Sequence, residues 1–152
     1  MERPVIFSCN GESLVGVVHP GIDSGEVGVV IVVGGPQYRV GSHRQFVTTA
    51  RYLAKAGFPV FRFDYQGMGD STGASVHFES IKPDIVAAIS AFKEQCPSLK
   101  SVVLLGLCDG ASAISMNLDE LSDVKGAILI NPWVHDEVTK DEAFLRGYYL
   151  KR

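Results

Sequence analysis

Gly106-Leu107-Cys108-Asp109-Gly110 follows directly on the apolar run Val102-Val103-Leu104-Leu105. A nucleophile flanked by glycines two residues to either side is the pattern of a sharp strand–turn–helix elbow, with cysteine here where serine is commoner. The glycines let strand and helix approach without a Cβ clash. The residue at the tip then projects above the end of a sheet. Cys108 would also stand at a helix N-terminus, where free N–H groups and the helix dipole favour a thiolate. The chemistry implied is attack of sulfur on a carbonyl carbon. A buried turn that happens to carry cysteine explains the pentapeptide as well as a nucleophile does, because short motifs recur by chance.

The bulk properties narrow the alternatives. A chain of 152 residues, 46% apolar and 20% charged, can bury a real core as one domain. Its net charge of −3 and scattered Lys and Arg give no case for nucleic acid or an anionic membrane. No run approaches the roughly 20 apolar residues of a membrane span, and the N-terminus reads as a strand rather than a signal peptide. Cys9, Cys96 and Cys108 are odd in number and lack metal-ligand spacing. A reduced, cytoplasmic setting is therefore expected, with no metal and no cofactor.

The positioning elements can be read along the chain. Val5–Ser8 and Ser13–His19 flank Asn10-Gly11, a hairpin signal. Val29–Val33 is an unbroken β-branched run, as in a strand covered on both faces, and it ends at Gly34-Gly35-Pro36. Ser42 and Gln45 are spaced as a capping box for a helix with the apolar face Phe46, Val47, Ala50, Leu53 and Ala54, closed by Gly57. Val60–Asp64 is the next strand. A loop through Gly67, Gly69 and Gly73 leads to a helix entered near Pro83, with the buried stripe Ile85, Val86, Ile89 and Phe92. After the elbow and its helix comes a buried strand, Ala127–Ile130, and then Asn131-Pro132-Trp133. An opening hairpin followed by alternating strands and helices predicts an α/β fold with a mostly parallel sheet. The Gly34 turn, the Asp64 loop, the Cys108 elbow and the Asn131 turn all fall on its carboxyl edge, where such sheets bind ligands.

In that order these elements resemble the N-terminal part of an α/β-hydrolase over roughly residues 1–134. Val33-Gly34-Gly35-Pro36 resembles the His-Gly-Gly-Pro oxyanion turn, with Val33 in the histidine position. Asp64-Tyr65-Gln66-Gly67-Met68-Gly69-Asp70-Ser71 resembles the Asp-x-Arg-Gly-x-Gly-x-Ser loop, with Gln66 in the arginine position. Within the superfamily, residues 34–45, 106–110 and 131–134 are similar to hydrolases encoded alongside exosortase A systems. The resemblance implies a three-layer α/β-hydrolase-like fold, opened by an antiparallel hairpin and cut before its last strands. Residues 135–152 would begin a helical lid or C-terminal segment. It also implies an ester or thioester hydrolase (or acyltransferase) with Cys108 as nucleophile and a small acyl compound as substrate. Cysteine also replaces serine in dienelactone hydrolases, which keeps lactones open.

On the fold implied, the N–H of Asp109 is the first oxyanion donor and that of Gly35 the second, with Gln37 as fallback because Pro36 has no N–H. Tyr38, His43, Asp64 and Trp133 are the pocket candidates. For Asp64 the plainer role is bonding the Gly67–Gly73 loop. The glycines of that loop have the wrong spacing for a dinucleotide site. Arg39 and Arg44 could hold an anion, although a solvated surface is the default. His19 and His77 are expected on the surface. The family's acid and histidine follow the nucleophile on later strands, and here only His135, beside Asp136, does so. Adjacent residues rarely satisfy base–orienter geometry, so the chain alone should turn over poorly. An uncovered strand edge could pair two copies. A non-catalytic, partner-binding scaffold is the rival reading, favoured by Val33, by Asp109 beside the thiol and by the missing triad members.

Overall fold

The structure, a computed structural model, describes residues 1–22, 25–35 and 37–132. Expectations placed on Pro36, Trp133, His135, Asp136 and the 135–152 segment lie outside these residues. Strands β1 (Arg3–Cys9) and β2 (Glu12–His19) form the hairpin, turned by Asn10 and Gly11 at φ 49° and 86°. The remaining elements are β3 (Val27–Val32), α1 (Gln45–Lys55), β4 (Val60–Asp64), α2 (Lys82–Gln95), β5 (Ser101–Leu107), α3 (Asp109–Asn117) and β6 (Val124–Ile130). They build one six-stranded sheet in the order β1-β2-β4-β3-β5-β6. Only the β1–β2 and β2–β4 pairings are antiparallel.

Helices cover both faces, which gives three layers. On one face α1 sets Phe46 and Ala50 against Val29, Ile31, Val33, Val60 and Leu105. On the other, Ile85, Ala88, Ile89 and Phe92 of α2 and Ala113 and Ile114 of α3 pack on Val18, Val30, Phe61, Phe63 and Leu104. The strand period of two divides β4 between them. Phe61, Phe63 and, just beyond, Tyr65 join the α2–α3 core, while Arg62 and Asp64 alternate with them in sequence.

Four local expectations are corrected. Ser42 and Gln45 form no capping box: Ser42–Arg44 winds as a 3₁₀ turn with His43 and Arg44 at φ 49° and 61°, and α1 begins at Gln45 without a side-chain cap. The Gln45 amide donates to Gln37 Oε1 (3.2 Å) instead of reaching back to Ser42. Val86 is not in the α2 stripe but 44% exposed, because Ala88 fills the place against the sheet. His19 is buried, because β2 lies between β1 and β4 and its last residue pairs with Val60. The strand β6 is half-open: Val124 and Ala127 reach the core, but Ile128, Leu129 and Ile130 are 37–48% exposed at the end of the described sheet. No helix of the described residues is long and apolar enough to cross a membrane.

Candidate active site

Cys108 alone makes the bend from β5 into α3, at φ 55° and ψ −120°. That backbone is strained for a residue with a Cβ, at a cost of roughly 1–3 kcal/mol, and such strain persists only where surrounding structure enforces it. Here three backbones enforce it. A Cβ on Gly106 would lie 2.6 Å from Ala111 N, one on Gly110 2.3 Å from Val32 O, and one on Gly34 2.3 Å from Gly110 N and 2.4 Å from Leu107 O. β5, the start of α3 and the turn after β3 therefore nest with no room for side-chain atoms. The Cys108 N–H donates to Ile130 O (2.9 Å), and Ser112 N–H donates to Cys108 O (3.0 Å). The thiol is half-buried, with its sulfur 3.8 Å from Asp109 Oδ1.

The turn after β3 brings Gly34 and Gly35 to this bend. The Cβ position of Gly34 is 2.8 Å from Asp109 N, and that of Gly35, at φ 63°, is 3.7 Å from Asp109 Oδ2. Gln37 is half-buried, and its Oε1 accepts from Ser42 N–H (3.3 Å) as well as from Gln45. Its side chain thus ties the turn to the start of α1. Gly35 and Asp109 line a cavity of about 500 Å³ together with Tyr65, Met68, His77 and Phe78. Asp109, rather than Cys108, is the elbow residue on its wall.

The other pocket candidates are arranged differently. Tyr38 is 45% exposed, with the Arg39 guanidinium 6.0 Å over its ring. His43 is exposed in the 3₁₀ turn. Asp64 is fully buried and does not line the cavity. It accepts from Arg39 N–H (2.6 Å), Asp70 N–H (3.1 Å) and the Arg39 guanidinium, while Ser71 Oγ donates to its backbone oxygen (2.7 Å). Arg39 also pairs with Asp70. Far from forming a solvated cation, Arg39 clamps the β3 turn to the β4 loop. The clamp continues inward: Arg62 donates to Arg39 O (3.1 Å) and to His19 Nε2 (2.8 Å). Burial and the Arg62 charge push His19 down to about 4, so it stays neutral and can accept.

Of the cavity residues, only Gly35 and Asp109 were site candidates in the sequence; Tyr65 and His77 are instructive among those that were not. Tyr65 was legible from the alternation Phe61, Phe63, Tyr65, which carries it past the end of β4 on the α2–α3 face. His77 was assigned to the surface and is exposed, with Nδ1 3.3 Å from Glu79, yet it also faces the cavity. Only the packing of the 3₁₀ turn Phe78–Ser80 on α3 brings it there, and no local pattern encodes that contact. Among the described residues no cluster of His, Cys, Asp or Glu is placed to hold a metal ion.

A family model described as serine aminopeptidase, S33, matches residues 27–148. Among solved structures, an esterase from Pyrococcus furiosus superposes with TM-score 0.79 at 22% identity, covering 100% of this chain and 56% of its own. The α/β hydrolase GrgF from Penicillium sp. sh18 gives 0.80 at 20% identity, covering 96% and 52%. Est1E from Butyrivibrio proteoclasticus, solved with ferulic acid bound, gives 0.71 at 18%, covering 84% and 52%. At these identities the likeness establishes the α/β-hydrolase fold, and the chain spans just over half the length of these relatives. No curated protein matches the sequence.

Proposed function

The chain belongs to the serine aminopeptidase S33 family of α/β-hydrolases, and we propose that it carries the nucleophile side of a site that cleaves ester or thioester bonds through Cys108. The observation that carries this reading is the strained bend at Cys108, with the Gly34–Gly35 turn laid against the Asp109 N–H. The Cys108 thiolate attacks the acyl carbonyl, and its carbon–oxygen double bond opens to a tetrahedral oxyanion. The N–H groups of Asp109 and Gly35, with Gln37 as the alternative second donor, hold that oxyanion. Each such donor contributes ~3–4 kcal/mol to the transition state. The oxyanion collapses, the leaving alcohol or thiol departs with a proton, and water then hydrolyses the cysteinyl thioester.

We assign the general base and its acid outside the described residues, in the length of the relatives that this chain does not span, with His135 and Asp136 as the alternative within it. The narrower likeness, to hydrolases associated with exosortase A systems, rests on residues 34–45, 106–110 and 131–134. One feature favours a non-catalytic scaffold: the Cys108 thiol is engaged as a donor to the Asp109 carboxylate beside it (3.8 Å).

The test uses the gene product that contains this chain. A p-nitrophenyl ester should give a burst of nitrophenol and a covalent acyl adduct on Cys108, both lost in Cys108→Ala. A wild-type protein that neither acylates nor turns over esters or thioesters would overturn the enzymatic reading in favour of the scaffold.

A further inference from the structure

The turn after β3 is fastened at two places. Its first end, Gly34 and Gly35, lies against the elbow, where the Cβ position of Gly34 is 2.8 Å from Asp109 N. Its far end is Arg39, whose main-chain N–H, carbonyl and guanidinium are each bonded. The N–H donates to Asp64 Oδ1 (2.6 Å), the carbonyl accepts from Arg62 (3.1 Å), and the guanidinium reaches Asp64 Oδ2 and Asp70. Tyr38 O accepts from Gly41 N–H (2.9 Å), so the Tyr38–Arg39 peptide is held on both sides. Asp64, fully buried, thus takes a main-chain and a side-chain bond from the same residue. Neutralising its charge needs only the guanidinium. The main-chain bond fixes something more, the register of the turn on the β4 loop.

We propose that Arg39 is a positioning residue for the oxyanion donors. The N–H of Gly35 and its alternative, that of Gln37, both belong to the span between the two fastenings. Such donors stabilise an oxyanion only when they are aimed before the reaction, and a misplacement of ~1 Å can cost about 100-fold in rate. Packing holds Gly34 tightly, but the Cβ position of Gly35 meets nothing closer than Asp109 Oδ2 at 3.7 Å. Steric fit at the elbow therefore leaves the rest of the span loose, and Arg39 supplies the second constraint. Two carboxylates on one guanidinium leave it no net positive charge to offer an anionic substrate. Arg39 thus acts on the reaction through the turn and not by contact. This inference rests on the proposed acyl chemistry at Cys108 and adds to it the residue that aims the donors.

The test compares two reactions of Cys108 in the whole gene product, wild type and Arg39→Lys. Acylation by a p-nitrophenyl ester passes through an oxyanion. Alkylation by iodoacetamide does not, since the sulfur displaces iodide from a saturated carbon. Lysine keeps the charge but has no fork to bind Asp64 and Asp70 together. Acylation should fall roughly 10- to 100-fold, and alkylation should keep its wild-type rate. Unchanged acylation overturns the proposal, as does an equal fall in both reactions, which marks a role in the fold alone. Should Arg39→Lys not fold, Asp70→Asn, at the exposed partner, decides: acylation should fall severalfold with alkylation unchanged. Amide hydrogen exchange separates this inference from the catalytic reading. In the variant the Gly35 and Gln37 amides should exchange faster, while that of Ser112, bonded to Cys108 O, should not change. Wild-type exchange at Gly35 and Gln37 overturns the proposal. A wild-type protein that is never acylated sinks the catalytic reading, and the exchange rates then decide this one.

Discussion

The bend after β5 and the loop after β4 both end at the same cavity, yet they are held by opposite means. The bend is backbone against backbone. Gly34, Gly106 and Gly110 let three chain segments meet where a single Cβ would stand 2.3–2.6 Å from its neighbours. The loop is held by charge. Asp64, fully buried, gathers Arg39 and the Asp70 N–H, and Arg39 leans through its carbonyl on Arg62 and through it on His19. One region depends on atoms that are missing and the other on charges that are matched. The first should fail when a methyl is added and ignore pH; the second should fail when a charge is removed and feel acid.

The largest effect is expected at Asp64. Asp64→Asn keeps the shape but leaves the Arg39 guanidinium without its buried counter-charge. Breaking one partner of a buried pair costs about 3–5 kcal/mol. Urea unfolding of the variant should show that loss, and Asp70→Asn, at an exposed partner, should cost under about 1 kcal/mol. Equal costs at the two sites would mean that the clamp is a surface feature and that the contrast with the bend is unfounded.

Acid supplies the second test. His19 titrates near 6.5 in an unfolded chain but is pushed down to about 4 when folded, first by burial and then by the Arg62 charge, against the pull of Glu2. Between those values the unfolded chain takes up a proton that the folded one refuses. Stability should therefore be level above pH 6.5 and fall as the pH drops towards 4, by on the order of 3 kcal/mol. Glu2, held below its ordinary 4.5, contributes only at the acid end of that window. His19→Gln keeps an acceptor for Arg62 without a titrating ring, so its stability between pH 6.5 and 4.5 should lose this slope. An unchanged slope would place the acid sensitivity elsewhere.

The same division explains what could be read from the residues. The bend was legible because glycine spacing after an apolar run is a local signal, and its requirement is steric and close in sequence. The hairpin, β3, β4 and α2 were legible for similar reasons of period and turn chemistry. The clamp was not. Arg39 and Asp64 are 25 residues apart, and Arg62 and His19 are 43 apart. Nothing local distinguishes a clamping arginine from a solvated one. A sign was nonetheless present: Arg62 and Asp64 sit in a five-residue strand that is otherwise apolar, and charges buried in a central strand need partners. His77 and the open face of β6 depend on tertiary packing alone, which periodicity does not report.

On the bend side, Gly34→Ala should cost about 1–3 kcal/mol, because the new methyl meets backbone atoms that cannot turn away. The loss should be the same at pH 7 and pH 5, unlike the loss at the clamp, and a pH-dependent penalty would show the two regions to be coupled.

Gly35→Ala sharpens the contrast within the turn itself. Its Cβ would meet nothing closer than Asp109 Oδ2 at 3.7 Å, so the methyl has space and the penalty is only that of holding an L-residue at φ 63°, about 1–2 kcal/mol. In stability it should be milder than Gly34→Ala. In acylation of Cys108 the order should reverse if Gly35 supplies the second oxyanion donor. Relaxing that φ re-aims its N–H, and removal of one such donor lowers kcat by ~100- to 1000-fold. A Gly35→Ala protein that keeps the wild-type acylation rate would move the donor to Gln37, and the Gly34–Gly35 turn would then serve only to let the bend close.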